Sequence, residues 1–293
     1  MALTPRSLPN DKRPASPSPS PRMSHSEEFP TDYLDRFSGI GRLYGRDALV
    51  SLRRAHVAVI GIGGVGTWAA EALARSGIGR LTLIDLDEVC VTNVNRQVHA
   101  IDGQIGRPKA EAMADRIRLI SPSCEVAAHL EFFTETTAAR ILESGFDVVI
   151  DAIDSVKHKS LLIAECVSRK IPLIVSGGGG GKRDPSTLDV SDLAKATNDR
   201  LLKRVRKVLR RDHGFPDEPS KLDFGVTAVF CDEKAVYPWA DGTVCATPEP
   251  GSELRLNCES GFGTAAFVTG AIGFAAAAEA VKVVAAKGSA ESR

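Results

Sequence analysis

Short apolar runs alternate with longer stretches of helical periodicity along most of the chain. Most of the runs are rich in Val, Ile and Leu, as buried parallel strands are. They predict strands at 56–60, 80–85, 125–129, 147–151 and 171–175. The stretches between them predict helices at 66–76, 108–120, 135–144 and 157–169. This alternation is typical of an α/β fold, here a Rossmann-like, mostly parallel sheet wrapped by helices.

Two segments depart from this alternation. Residues 1–30 are rich in Pro, Ser and charged residues and include SPSPSP, so they cannot build a core and we expect a disordered tail. Residues 31–288 are expected to form a single domain with an inserted basic helical segment near 195–220. The tail lacks the apolar region of a secretory signal.

A long uncharged stretch, residues 261–278, reaches the lower length limit for a membrane span. It consists largely of Gly, Ala and Thr, and Glu279 and Lys282 then end it. Small residues let a helix pack closely against a sheet or across a dimer interface. We therefore expect a packed helix, although a hydropathy-based prediction of a membrane span is possible.

Composition limits the classes of function. With 293 residues, 43% of them hydrophobic, the chain can bury a full core. Lys plus Arg and Asp plus Glu number 37 each, so nucleic acid could bind only to a local basic patch. The six cysteines include no C-x-x-C pair, which predicts no zinc site and no disulfide framework. This cysteine usage agrees with a cytoplasmic protein.

The first predicted strand runs into GIGGVG at 61–66. Gly61, Gly63 and Gly66 have the G-x-G-x-x-G spacing of a loop that turns tightly, approaches a phosphate and seats the following helix. Phosphate then meets free N–H groups at the helix N-terminus. By itself, this motif predicts an NAD site with Asp85 on the ribose hydroxyls.

Further polar residues follow the second predicted strand and change this interpretation. Asp85 and Asp87 are followed by Asn93 and Arg96 in NVNRQ, and then by Lys109. Two cations and an amide suit a triphosphate whose charge must be neutralised, whereas a dinucleotide site needs no such groups. Singly, Arg96 and Lys109 could be ordinary solvated charges. Together with the glycine loop they favour ATP.

These motifs resemble those of the ThiF/MoeB family of ATP-dependent adenylating enzymes, which are related to the ubiquitin-activating enzymes. The shared segments are GIGGVG, DLD at 85–87, NVNRQ at 93–97, Lys109 and DAID at 151–154. Wider segments, among them RFSGIGRLYG and SGGGGGKRDP, resemble the branch of tRNA threonylcarbamoyladenosine dehydratases. The resemblance covers about residues 35–287.

The resemblance implies a ThiF/MoeB-type fold and a ligase-like, AMP-forming enzyme. In the dehydratase branch, ATP adenylates the threonine carboxylate of threonylcarbamoyladenosine in tRNA, and ring closure gives the cyclic form. The alternative is adenylation of the C-terminal glycine of a sulfur-carrier protein, which the absence of C-x-x-C pairs and the basic segment disfavour. A nucleotide-binding module without turnover is a third possibility, which the full set of polar residues disfavours.

The resemblance also implies roles for single residues. It implies catalytic roles for Arg96, Lys109 and Asp154, with Asp154 holding Mg²⁺ through the phosphates of ATP. The residues implied to contact ATP are Gly61, Gly63, Gly64, Gly66, Asp85, Asp87, Asn93, Arg96, Lys109 and Arg42. Arg42 lies in a segment that, in homodimeric relatives, reaches the partner's ATP, so a homodimer is implied. A monovalent cation (Na⁺ or K⁺) and a cysteine-desulfurase sulfur-transfer system are left open.

Asp154 has a second interpretation. Together with Asp151 it closes the fourth predicted strand, and ligands of α/β proteins bind at the carboxyl ends of strands. It also precedes a predicted helix, and Asp is a favoured N-cap. Both roles can hold together.

A basic segment, RLLKRVRKVLRR at 200–211, has its apolar residues on one helical face. Its outer face predicts contact with the tRNA backbone. The residues expected to make it are Lys203, Arg204, Arg206, Lys207, Arg210 and Arg211. The alternative is a solvated surface helix balanced by the acidic residues that follow it. The glycine run 177–181 is interpreted as a lid or substrate loop, with a linker as the alternative.

Overall fold

The computed structural model describes residue 29 and residues 32–217, 222–251 and 262–291. The predicted tail therefore lies outside the described residues, apart from Phe29. The helices are α1 Tyr33–Tyr44, α2 Arg46–Arg54, α3 Gly66–Arg75, α4 Lys109–Ile120, α5 Ala138–Leu142, α6 Val156–Arg169, α7 Arg200–Asp212 and α8 Ala266–Glu291. The strands are β1 His56–Ile60, β2 Arg80–Ile84, β3 Glu125–His129, β4 Val148–Asp151, β5 Leu173–Ser176, β6 Leu188–Asp192, β7 Thr227–Cys231, β8 Tyr237–Pro238 and β9 Val244–Cys245.

The strands and helices predicted from the hydrophobic pattern are all present, with ends that differ by a few residues. The largest difference is in α5, which is shorter than the predicted helix. Side-chain hydrogen bonds explain it, because Thr137 Oγ1 accepts from the backbone N of Thr134 at 2.9 Å and donates to the carbonyl of Phe132 at 2.8 Å. These bonds fold the preceding residues into a turn.

Seven strands form one sheet in the order β3-β2-β1-β4-β5-β7-β6. Neighbouring strands run parallel, except that β6 runs antiparallel to β7 at the edge. The chain builds outward from β1 through β2 and β3, and then returns to place β4 on the other side of β1. A crevice forms at the carboxyl ends of the strands where the order reverses, and α/β proteins bind ligands there.

Helices cover both faces of the sheet. The side chains of β1 alternate between two cores, with Val57 and Val59 on the side of α3, α4 and α8. Ala58 and Ile60 face the side of α5, α6 and α7. All five residues of β1 are buried, as expected for a central parallel strand. The predicted α/β class is confirmed.

Helix α8 contains most of the uncharged stretch and packs against α2, α3 and the sheet. A Cβ at Gly273 would lie 2.6 Å from the carbonyl oxygen of Val65, so this glycine allows α8 and α3 to approach closely. Residues Ala266–Lys287 are long and apolar enough to cross a membrane, and 56% of the apolar window is buried in the protein. The packing against the sheet favours the interpretation as a core helix.

Candidate active site

A cavity of about 280 Å³ opens at the carboxyl ends of β1, β2, β4 and β5. The sequence-predicted residues that line it are Gly61, Gly63, Gly64, Asp85, Asp87, Arg96, Lys109 and Asp154. Gly66, Asn93 and Arg42 do not line it. Most of the predicted set, drawn from five separate segments of the sequence, therefore converges on one site.

The glycine loop after β1 has a backbone that a side chain would block. Gly61 has φ +91°, and a Cβ there would lie 2.7 Å from the carbonyl oxygen of Ala152. A Cβ at Gly66 would lie 1.8 Å from the carbonyl oxygen of Gly61. Gly63 differs, because a Cβ there would meet no described atom within 4 Å. The loop thus turns tightly, starts α3 directly against β1 and is open at Gly63.

Asp85 follows β2 and holds the glycine loop. Its Oδ2 accepts from the backbone N of Ile62 at 2.6 Å, and its Oδ1 accepts from the backbone N of Asp87 at 2.8 Å. Burial raises the pKa of this carboxyl, while nearby Lys109 and the two N–H donors oppose the rise. The carboxylate therefore ties the loop after β1 to the turn after β2.

Lys109 is a buried cation at the wall of the cavity. It begins α4, and its Nζ lies 2.8 Å from Asp87 Oδ2. The side chain of Lys109 is only 9% exposed, whereas that of Asp87 is 55% exposed. The ammonium is therefore fixed in place, while its carboxylate partner is open to solvent.

Arg96 lies across the glycine loop. A Cβ at Gly64 would come within 3.4 Å of Arg96 Cγ, so the glycine makes room for the arginine. The carbonyl of Arg96 accepts from Trp68 Nε1 at 3.0 Å, which anchors its backbone to α3. Its Nη1 donates to the carbonyl of Thr92 at 2.9 Å and to Asn95 Oδ1 at 3.0 Å. These contacts fix a guanidinium beside the loop.

Two predicted residues lie away from the cavity. Asn93 is buried, and its Oδ1 accepts from the backbone N of Cys90 at 3.0 Å, so it shapes the turn that precedes Arg96. Arg42 is exposed on α1, and its Nη1 donates to Ser38 Oγ at 3.4 Å. Its predicted role concerns a partner's site and stays a prediction.

Asp154 is exposed on the cavity wall after β4. Helix α6 begins at Val156 with Ser155 at the N-cap position, so the interpretation of Asp154 as the N-cap is wrong. Within the described part of the chain, its carboxylate forms no hydrogen bond or ion pair. It is an open oxygen ligand at the edge of the cavity.

A buried ion pair next to the cavity was not predicted from the sequence. Asp151, the last residue of β4, has its Oδ1 3.0 Å from Lys159 Nζ on α6, and both side chains are fully buried. The same Nζ donates to the carbonyl of Ile153 at 3.0 Å. Burial raises the pKa of Asp151, and the ammonium of Lys159 opposes the rise. The pair ties the end of β4 to α6.

Several other residues that line the cavity were not predicted from the sequence. Glu131, Phe132 and Phe133 line it after β3, where the strand-end rule could have found them. Residues 177–180 form part of the wall, so the glycine run belongs to the cavity and the linker interpretation is wrong. Thr269 of α8 lines it too, and no local signal in an Ala-rich helix indicates such a contact.

The basic helix is present as α7, with its apolar face buried. Lys203, Arg204 and Lys207 are exposed, and the described residues offer them no ion-pair partner. The three other predicted cations have protein contacts: Arg206 donates to the carbonyl of Leu193, Arg210 to that of Pro216, and Arg211 pairs with Asp212. The free positive charge is thus concentrated on the outer side of the helix.

Neither Cys231 nor Cys245 lines the cavity. Cys231 is buried, and its burial raises the pKa of the thiol, which disfavours the thiolate. Cys245 is partly buried. The cavity is therefore built without a cysteine nucleophile in the part of the chain that the structure describes.

This chain is similar over most of its length to tRNA threonylcarbamoyladenosine dehydratases. A tRNA threonylcarbamoyladenosine dehydratase of Escherichia coli K12 is 50% identical over 256 residues, which are 87% of this chain and 95% of that protein. One of Haemophilus influenzae is 47% identical over 251 residues, 85% of this chain and 93% of its own. The crystal structure of the E. coli tRNA N6-threonylcarbamoyladenosine dehydratase in complex with ATP matches with a TM-score of 0.78 and 44% identity, covering 89% of this chain and 98% of that one.

The predicted family is confirmed by this similarity and by a match to the ThiF family over residues 38–293. That match includes the glycine loop, the cations around the cavity and all eight helices except the start of α1. The chain therefore belongs to the ThiF family.

Proposed function

We propose that the protein uses ATP to dehydrate threonylcarbamoyladenosine in tRNA to its cyclic form, by adenylation and then cyclisation. The observation that carries this proposal is the convergence of the glycine loop, Arg96, Lys109 and Asp154 on one cavity. The 50% identity to a dehydratase over 87% of the chain supports the same substrate.

We expect ATP to bind with its phosphates on the glycine loop. The loop leads into the N-terminus of α3, where free N–H groups and the helix dipole favour negative charge. The open space at Gly63 leaves room for a phosphate beside the backbone. Lys109 and Arg96 then supply positive charge from two sides. The crystallised E. coli relative, which is in complex with ATP, supports ATP as the ligand.

Asp154 is the residue that would hold Mg²⁺. Its carboxylate is open, and oxygen ligands suit this hard cation. The described residues include no group of three or more His, Cys, Asp or Glu side chains that could hold a metal. An ion held by one carboxylate, water and phosphate oxygens fits such a site. When bound, Mg²⁺ would supply charge neutralisation on the triphosphate.

The chemistry needs no protein nucleophile. The threonine carboxylate attacks the α-phosphorus of ATP, forming an acyl-adenylate and releasing pyrophosphate, while Arg96 and Lys109 stabilise the developing charge. A nitrogen of the modified side chain then attacks the acyl carbon and loses its proton, and the bond to AMP breaks. Ring closure within one molecule benefits from proximity. One carboxylate oxygen leaves with AMP, so the nucleoside loses the elements of water.

AMP release with an isotopically labelled substrate tests this function. With oxygen-18 in the threonine carboxylate, we expect AMP that carries one labelled oxygen, formed only when the modified tRNA is present. ADP, or AMP without the label, would contradict adenylation of this carboxylate. Release that requires a carrier protein ending in Gly-Gly instead of tRNA would favour the sulfur-carrier alternative.

The outer side of α7 is proposed to bind the tRNA backbone. The chain has no net charge, and Lys203, Arg204 and Lys207 on this side are exposed without an ion-pair partner among the described residues. The double variant Lys203→Gln, Lys207→Gln is expected to weaken tRNA binding. The slope of log K against log salt concentration should also fall by about 0.7–0.9 for each phosphate that the variant no longer neutralises. Binding titrations at several salt concentrations measure both effects.

The control for this prediction is Lys195→Gln, which removes an exposed lysine that pairs with Asp223 at 2.8 Å. It should leave the salt slope unchanged. Equal slopes for the control and the double variant would contradict a backbone contact on α7.

We further propose that the protein acts in the cytoplasm as a homodimer, with Arg42 reaching the partner's ATP. The exposed position of Arg42, outside its own cavity, supports this arrangement. A monovalent cation and a cysteine-desulfurase partner stay predictions from the family resemblance.

A further inference from the structure

An arginine and two aromatic rings form a cluster at the edge of the cavity. The guanidinium carbon of Arg200 lies 5.5 Å from the centre of the Tyr237 ring and 5.4 Å from the centre of the Phe262 ring. The ring centres are 5.4 Å apart, and the rings are inclined at 59°. Arg200 Nη1 also donates to the Tyr237 hydroxyl at 3.3 Å. We call these three residues the aromatic cluster.

The aromatic cluster connects the cavity to the basic helix. Phe262 lines the cavity, and a Cβ at Gly180 would lie 3.1 Å from Phe262 Cβ. Arg200 is the first residue of α7, so the basic outer side of that helix begins at the cluster. Asp199 fixes the junction, because its Oδ1 accepts from the backbone N of Leu202 at 2.9 Å and its Oδ2 from that of Gly178 at 2.9 Å.

The cluster is accessible to a ligand. Arg200 is exposed, and Tyr237 and Phe262 are each partly exposed. Among the described residues, Arg200 has no carboxylate partner. Single-stranded RNA bases stack on aromatic rings and on arginine guanidinium planes. A positive charge beside such a platform attracts the phosphate backbone of the RNA. The cluster therefore has the chemistry of a base-stacking site.

We propose that the aromatic cluster binds the adenine base that carries the threonylcarbamoyl group. This inference rests on the proposed function, in which the tRNA backbone lies on α7 and the threonine carboxylate enters the cavity. The base joins these two parts of the substrate, so it must lie between them, where the cluster is. Stacking there holds the base while its side chain reaches the glycine loop.

Variants of Tyr237 test this inference, since its ring belongs to the cluster but does not line the cavity. Tyr237→Leu is expected to raise the KM for modified tRNA about tenfold, as the loss of one stacked base does. Tyr237→Phe keeps the ring and should behave like the wild type. Free threonylcarbamoyladenosine, which has no phosphate backbone, should inhibit the Leu variant about tenfold less well than the wild type.

Other measurements separate stacking from a structural role. The salt slope of tRNA binding should be the same in Tyr237→Leu and the wild type, because stacking releases no counterions. ATP affinity and melting temperature should be unchanged. If Tyr237→Leu melts early, Phe262→Leu provides the second test of nucleoside inhibition.

Three results would overturn the inference: an unchanged KM in a folded Leu variant, a loss shared by Tyr237→Phe, or nucleoside inhibition that is equal in all variants. The wild type is assayed in parallel. If the wild type itself removes no water from the modified nucleoside, the proposed function fails, and not the assignment of the cluster alone.

Discussion

Replacing Arg96 with Ala is expected to lower kcat for dehydration by about a hundred- to a thousandfold, as the loss of one group that stabilises transition-state charge does. The aliphatic part of the Arg96 side chain lies against the glycine loop, where we propose that the phosphates of ATP bind, because a Cβ at Gly64 would be 3.4 Å from Arg96 Cγ. The fold should persist, because the bond from Trp68 Nε1 reaches the backbone carbonyl of Arg96, which the substitution leaves in place. Single-turnover rates of AMP formation, together with the melting temperature, measure both effects.

Arg80→Ala is the matched control. Arg80 begins β2 at the end of the sheet opposite the cavity and forms an exposed ion pair with Glu125 at 3.0 Å. Its removal should leave kcat unchanged, since exposed pairs contribute little and it lies far from the chemistry. Activity of Arg96→Ala close to that of the control would remove Arg96 from the mechanism.

Replacing Lys159 with Ala is expected to lower the free energy of unfolding by about 3–5 kcal/mol, because it leaves the Asp151 carboxylate buried without a partner. The effect should depend on pH. Burial without Lys159 raises the pKa of Asp151 in the folded state above its value in the unfolded chain. The destabilisation should therefore grow as the pH rises through the unfolded-state pKa, and shrink in acid, where both states are protonated.

Lys157→Ala provides the comparison on the same helix. Lys157 pairs with Glu135 at 2.9 Å, and both side chains are largely exposed, so the cost should be about 0–1 kcal/mol. Urea unfolding of both variants at several pH values measures the difference. The buried pair does not stabilise the junction of β4 and α6 if the two variants lose the same free energy of unfolding. The same conclusion follows if the loss in Lys159→Ala does not change with pH.

Local signals allowed much of the fold to be predicted. The apolar run of β1 and the glycines after it identify a strand, a turn and a helix within a few residues of one another. Strand β7 is also a short apolar run, so it could have been predicted from the sequence in the same way as β1. The edge strand β6 has two exposed residues and no apolar run, so the hydrophobic pattern does not predict it. Strand order depends on contacts between distant segments, which periodicity does not encode.

The candidate site also has some features that the sequence predicts and others that it does not. The positions of the glycine loop, Arg96 and Lys109 at the cavity could be predicted from the sequence. The loop was indicated by its glycine spacing, and the two cations by their charge beside that loop and by the family resemblance. The hydrogen bond from the backbone N of Ile62 to Asp85 and the ion pair between Lys159 and Asp151 could not be predicted. Both depend on how segments that are distant in sequence meet in the fold. The aromatic cluster draws on three distant segments, and no single one of them indicates a base.

The most direct test of the central claim is the mass of the modified nucleoside after reaction. Modified tRNA is incubated with the purified protein, ATP and Mg²⁺, then digested under conditions that preserve the ring, and the nucleosides are analysed by mass spectrometry. We expect threonylcarbamoyladenosine to lose one water, only with ATP and in step with AMP release. An unchanged nucleoside mass with a folded, ATP-binding protein would contradict the assignment of this site to tRNA dehydration.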